Sequence, residues 1–227
     1  MRKIALIIFS ALPLFAGFFP ATTHTSITKS SGEKLTLSTP LFANGMSGVV
    51  VHDYGNNLKA ITGRFVQTSK DGQAKIVTTD IIHHDKLPTI KTPIKAGDSA
   101  IGGYLYNNVL LLAPDADTYA RITSQDNKKW IHPDLFALFL SQEGEARPTR
   151  ANLSLFAKRY QVGLIYIVRK NSAILLDPFS GSIINQKSMD NLPSKAQYPF
   201  YMRFDKIDSG WFSSNTTGNY YNTMETL

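Results

Sequence analysis

The spacing of apolar positions changes period part-way along the chain. In the first half, short runs rich in β-branched residues read as strands over Lys34–Ser38, Gly45–Asp53, Leu58–Thr68, Gln73–Ile82 and Ser99–Tyr106. They are separated by Tyr54-Gly55-Asn56-Asn57, Lys70-Asp71-Gly72 and Ala96-Gly97-Asp98, where Gly and Asn accept positive φ. Five short strands joined by tight turns predict a small β-barrel or rolled sheet, SH3-like in size. Leu87–Lys95, with two prolines, is expected to be an exposed loop between strands.

The second half alternates strand and helix patterns. Val109–Ala113 is an apolar run fit for a buried strand, and Pro114-Asp115 predicts a helix through about Ser124. His132-Pro133-Asp134 opens a second helix, expected to bury Leu135, Leu138 and Phe139, and Thr149 caps a third carrying Leu153, Phe156, Ala157 and Tyr160. Gly163–Arg169 and Ala173–Leu176 have the composition of central strands. Asp177-Pro178-Phe179-Ser180-Gly181 then turns the chain into Ser182–Lys187 as a hairpin partner, and Tyr198–Phe204 reads as a last strand. The predicted fold is therefore α+β (mixed): a barrel-like module over 34–106, followed by a small α/β module over 107–206. Residues 22–33, rich in Thr, Ser, Lys and Gly, read as a flexible leader, and 207–227 as an aromatic C-terminal segment. Trp211, Phe212, Tyr220 and Tyr221 are expected to tuck that segment back onto the fold.

The first 21 residues follow a different logic. Met1-Arg2-Lys3 precedes an apolar run from Ile4 to Phe19, then Pro20 and Ala21, the pattern of a secretory signal. The run falls short of the ~20 apolar residues of a spanning helix and is interrupted by Pro13, so removal is expected over a permanent anchor. Two alanines compete as the cut: Ala16 has Leu14 two places before it, and Ala21 has Phe19. The expected cut follows Ala21. From Thr22 onward no segment is long and apolar enough to cross a bilayer, so the mature chain is expected to be peripheral to a membrane at most.

Composition narrows the function. The 227 residues contain no cysteine, which excludes disulfides, thiolate metal sites, a cysteine nucleophile and lipid attachment at an N-terminal Cys. An exported chain of this size without disulfides points to a bacterial envelope, periplasmic or on the outer surface. The formal charge is +7; without Arg2 and Lys3, 22 bases stand against 17 acids. These bases are scattered, not clustered among aromatics, so no nucleic-acid partner is expected.

Candidate chemistry is sparse. Val109-Leu-Leu-Leu-Ala-Pro-Asp115-Ala-Asp117-Thr118 approaches the strand-plus-DxDxT pattern of aspartate-dependent phosphatases, but the threonine comes one residue too soon. Acidic residues are equally expected in a helix's first turn. His83-His84-Asp85 holds metal-ligand types, yet neighbours on an extended segment face opposite ways. His52 and His132 have no partner at ligand spacing, and His132 is expected to serve the start of its helix. Neither a metal nor any other cofactor is expected. Gly102-Gly103 suggests a bulge or a close backbone approach. Asn152 and Asn215 head formal glycosylation triplets that matter only in a eukaryotic secretory route.

Several segments together resemble the N-terminal domain family of bacterial plasminogen-binding protein A: Gly48-Val-Val-Val-His52, Tyr104-Leu-Tyr-Asn-Asn-Val-Leu-Leu-Leu-Ala-Pro114, Trp130-Ile-His-Pro-Asp-Leu-Phe-Ala-Leu-Phe-Leu-Ser141, Gly163-Leu-Ile-Tyr-Ile167 and Pro199-Phe-Tyr201. The resemblance covers about residue 34 to the C-terminus. It implies an exported Gram-negative protein without catalytic activity and, from the family name, a protein partner, host plasminogen. Kringle domains hold a lysine ammonium in an anionic and aromatic cradle, best when a carboxylate lies near that ammonium. The sequence ends Met224-Glu-Thr-Leu227, without the lysine-rich extension of longer members. Capture would then fall to internal lysines, Lys86, Lys91, Lys95, Lys128 and Lys129, with carboxylates such as Asp85 and Asp126 nearby. A structural or assembly component of an envelope complex is the alternative. An uncharacterised hydrolase, requiring a cluster around Asp115, Asp117, His132 or Asp134, is a third reading.

Overall fold

A computed structural model describes residues 17–78, 86, 92–204 and 218–227. Six antiparallel strands close a barrel in the order β1-β2-β5-β4-β3-β6. They are β1 (Thr23–Ser31), β2 (Lys34–Leu37), β3 (Ser47–Asp53), β4 (Lys59–Gln67), β5 (Gln73–Thr78) and β6 (Ser99–Gly102). The small barrel expected from turn spacing is present, with one strand more than predicted. That strand is β1, in the segment expected to be a flexible leader. It pairs with β2 on one side and β6 on the other, so it closes the barrel. Its Ser and Thr side chains face mostly outward and only Ile27 is buried, so composition reads as loop where backbone pairing makes a strand.

Two glycines let barrel strands approach their neighbours. A Cβ on Gly48 would lie 2.6 Å from the Phe65 ring and from the Ile101 carbonyl, and one on Gly102 would meet Leu41 at 2.3 Å. The predicted strand Ser99–Tyr106 accordingly ends at Gly102, and a turn follows.

The second module is a five-stranded sheet in the order β11-β10-β9-β7-β8. Its strands are β7 (Asn108–Leu112), β8 (Lys129–Ile131), β9 (Leu164–Val168), β10 (Ser172–Asp177) and β11 (Ser182–Ser188). β7 is parallel to both β8 and β9, while β10 and β11 continue as antiparallel hairpins. Helix α1 (Ala116–Gln125) carries the chain from β7 outward to β8, and α2 (Pro133–Gln142) with α3 (Arg150–Tyr160) carries it back past β7 to β9. Right-handed crossovers in opposite directions put these helices on opposite faces of the sheet.

Both faces are therefore covered. Val109, Leu111, Leu164, Tyr166, Val168, Ala173 and Leu175 share a core with Ile122 of α1 and with the barrel residues Met46, Val50 and Phe65. Leu110, Leu112, Ile165, Ile167, Ile174 and Leu176 pack with Phe136, Phe139, Leu153 and Phe156 of α2 and α3. Burial on two sides explains why the sequence shows apolar runs here instead of alternation.

The helix starts use the predicted caps. Asp115 accepts the Thr118 N–H at 2.8 Å, and Thr149 and Asn152 cap one another's backbone reciprocally. Helix α2 differs from its predicted face: Leu135 and Leu138 are exposed, whereas Phe136, Ala137, Phe139 and Leu140 are buried. The helix is apolar nearly all round, so period alone could not choose its inner side. Tyr198–Phe204 is not a strand. Its backbone bonds go elsewhere, Tyr201 N–H to Ala113 at 2.8 Å and Met202 N–H to the Gln197 side chain at 3.2 Å, while Phe200 is wholly buried. The last described segment forms α4 (Tyr220–Glu225), which buries Tyr220 and Met224 on the α2–α3 side of the sheet. Trp211 and Phe212 lie outside the described residues. Among the described residues no helix is long and apolar enough to cross a membrane.

Candidate interaction site

The lysines proposed from the sequence fall in separate places. Lys91 and Asp85 lie outside the described residues, as does the His83-His84 pair. Lys86 is exposed in a turn on the barrel module, and Lys95 is exposed just ahead of β6. The carboxylate nearest Lys95 in sequence is already committed. Asp98 is buried, its Oδ1 2.7 Å from His52 Nδ1 and its Oδ2 accepting the Lys95 backbone N–H at 2.9 Å. His52 thus ties β3 to the turn before β6.

Lys128 and Lys129 come together on the other module, at the start of the edge strand β8. Lys129 is exposed, and its backbone N–H donates to Asn107 at 2.8 Å. Lys128 is half-buried, with its ammonium 4.7 Å from the centre of the Phe19 ring. Burial lowers its pKa and the Asp126 charge opposes the shift. The same two causes act in the same order on Lys187 of β11, whose ammonium sits 4.5 Å from the centre of the Phe18 ring.

Between these cations lies an aromatic cluster that sequence reasoning missed. Phe18 meets Tyr166 edge-on at 5.2 Å, and Phe19 lies 6.1 Å from Tyr166 and from Trp130. Asn185 donates its side-chain N–H to the Phe18 carbonyl at 2.8 Å, and Pro20 is buried. Burial pushes the Tyr166 hydroxyl far above its ordinary range. The available clue was in β9, where a Tyr stands among purely aliphatic residues. Its ring partners Phe18 and Phe19, however, lie in the stretch whose pattern reads as a signal.

A second polar cluster occupies the carboxyl ends of β7 and β8, the usual ligand crevice of open α/β sheets. Here the chain covers that position itself. Gln197 and Tyr201 donate backbone N–H groups to Pro114 and Ala113, at 2.7 and 2.8 Å. Asp134 accepts from the Arg203 backbone at 2.9 Å and from its guanidinium at 2.6 Å. His132 caps α2, its ring 5.1 Å from Tyr119 and 6.0 Å from Tyr201. Of the residues weighed for a hydrolase, Asp115 is a helix cap and Asp134 anchors Arg203, both structural uses of a carboxylate. Among the described residues no group of His, Asp and Glu is placed to hold a metal.

This cluster has a pH signature. Burial is the largest influence on Asp134 and would raise its pKa, but hydrogen bonds from Arg203 and the charges of His132 and Arg203 together hold it below 3.8. Burial lowers His132 below 6.5, Arg203 adding to the effect and Asp134 opposing it. For both groups the folded pKa is depressed, so stability is lost as pH falls, below 6.5 for His132 and below 3.8 for Asp134. Arg203→Ala removes the bonds that depress Asp134. The midpoint of acid unfolding, followed by circular dichroism, is expected to move to higher pH; an unmoved midpoint would show that Arg203 is not coupled to folding.

Comparison with known proteins places the chain. Two curated relatives are both plasminogen-binding protein PgbA of Helicobacter pylori, from strains J99 / ATCC 700824 and ATCC 700392 / 26695. Each is 29% identical over 160 residues, covering 68% of this chain and 35% of the relative. The matched part is thus about a third of those proteins. No solved structure matches. The family model described as the N-terminal part of plasminogen-binding protein pgbA matches residues 22–227, and the chain therefore belongs to that family.

Proposed function

We propose that this chain is an exported protein of a Gram-negative envelope that acts by holding another protein, without catalysis of its own, and that host plasminogen is the partner to test first. The observation that carries the reading is membership of a family described by plasminogen binding. The pair at the start of β8 supports it. Lys129 offers an exposed ammonium, and Asp126, whose charge reaches Lys128, supplies the nearby carboxylate that kringle recognition favours. Lys86 and Lys95 would add secondary contacts from the barrel module, and Lys91 completes the proposed set.

Immobilised plasminogen is expected to retain the chain, and a soluble lysine analogue to release it. Lys129→Ala should weaken binding by roughly tenfold, about 1.4 kcal/mol. Retention that ignores the analogue would remove lysine capture. Cell fractionation with protease added from outside tests export and exposure, since a protein shielded within the periplasm cannot meet a host ligand.

An assembly role has its own support. Among the described residues β8 and β11 each pair on one side only, leaving the two edges of the sheet for strand addition. Co-purification with a defined envelope complex would favour this reading over plasminogen capture.

A further inference from the structure

Phe18, Phe19 and Pro20 fall inside the stretch that sequence reading assigns to a removable signal, yet they are seated on the body of the fold. The two rings lie on Tyr166 and beside Trp130, each under a lysine ammonium, and Asn185 of β11 holds the backbone between them. Tyr166 beneath them has no exposed surface. Removing this tripeptide would uncover aromatic surface between two partly desolvated lysines, and a soluble protein rarely leaves such a patch open. The plug precedes the region shared with the family, which begins at residue 22.

The leader itself agrees with a shorter cut. An apolar core from Ile4 to Phe15 has twelve residues, within the roughly 7 to 15 of a secretory signal, whereas a core running to Phe19 has sixteen. A cut after Ala21 would put aromatic Phe19 where a small residue is preferred, with Pro20 beside it; a cut after Ala16 puts aliphatic Leu14 there. We infer that the leader is removed at the Ala16–Gly17 bond, so that the mature protein begins at Gly17 and keeps Phe18-Phe19-Pro20 as a plug on the β7–β11 sheet. The step is a hydrolysis by a membrane-bound leader peptidase. Water's hydroxyl goes to the Ala16 carbonyl carbon and its remaining proton to the Gly17 nitrogen, the amide C–N bond breaks, and Gly17 leaves as the new amino terminus.

The inference rests on the export reading, and one experiment separates the two. The full chain is produced with its own leader in a Gram-negative host, and protein from the envelope and cytosolic fractions is analysed by intact mass and N-terminal sequencing. A Gly17 start in the envelope is expected. A Thr22 start there would overturn the plug and leave export standing; a Met1 start confined to the cytosol would overturn both. Leaderless chains starting at Gly17 and at Thr22 give a second measure, together with F18A/F19A in the longer one. The shorter chain and the double variant should melt roughly 5–10 °C below the Gly17 chain. Equal melting temperatures would show that the rings are not part of the core.

Discussion

Asp177→Ala is expected to lower the unfolding free energy by about 3–5 kcal/mol, measured by urea denaturation. Asp177 ends β10 with no exposed surface, and both carboxylate oxygens are used. Oδ2 accepts the Ser47 backbone N–H at 2.9 Å and the Tyr106 hydroxyl at 2.6 Å; Oδ1 accepts the backbone N–H groups of Phe179 and Ser180 at 2.8 and 3.0 Å. Ser47 belongs to the barrel and Asp177 to the sheet, so this one side chain joins the modules where they pack. The surroundings are adapted to its charge. Burial, reinforced by that charge, drives the Tyr106 hydroxyl well above its ordinary pKa. The Arg64 guanidinium stacks 3.6 Å over the Phe179 ring; burial lowers its pKa, and Asp177 opposes the shift. Alanine removes the acceptor of four donors, two of them buried, at Ser47 and Tyr106, and two half-buried, at Phe179 and Ser180. Asparagine should rescue only in part, because its NH₂ must confront two backbone donors or one donor and a hydroxyl, whichever way it turns. A loss under about 1 kcal/mol for the alanine variant would mean that water replaces the carboxylate and that the link between modules is dispensable.

Gly163→Ala is the second large effect, expected to cost about 3 kcal/mol. A Cβ there would lie 2.1 Å from the Leu105 carbonyl oxygen and 2.7 Å from the Tyr106 nitrogen. Both are backbone atoms, so no rotamer change relieves the overlap. The Gly163 N–H also donates to the Asn108 carbonyl at 2.9 Å, which fixes the approach of the residue before β9 to the start of β7. Gly55 supplies the control: its φ is +85° and nothing lies within 4 Å of a Cβ placed there. Alanine at that position meets only backbone strain, about 1 kcal/mol. Equal losses at the two positions would show that conformational freedom, not close approach, is what Gly163 supplies.

Much of the fold was legible because local physics set it. The caps at Asp115, His132 and Thr149 marked three helix starts, and the turns at Gly55-Asn56-Asn57, Gly72 and Gly97 separated the barrel strands, since capping side-chain acceptors and positive φ act within a few residues. The family resemblance carried by the His132-Pro133-Asp134 helix start and by the Val109–Ala113 strand likewise led to the family the chain belongs to. The site was less legible. Lys128 and Lys129 were selected by residue type, but nothing local says that Phe19 stacks under one of them or that Lys187 lies across the same aromatic cluster.

The sequence alone determined the turns between most barrel strands, where α1, α2 and α3 begin, that the runs of β7, β9 and β10 are buried, and that the chain folds without cysteine chemistry, because each follows from covalent geometry, capping or composition. Only the tertiary structure decided that Thr23–Ser31 closes the barrel, that α2 turns Phe136 and Phe139 inward, that Asp177 joins the modules, and that Phe18 and Phe19 belong to the body. Those outcomes depend on partners distant along the chain. A polar strand, a helix apolar all round and an apolar leader end each carry a local pattern that fits more than one arrangement, and long-range pairing selects among them.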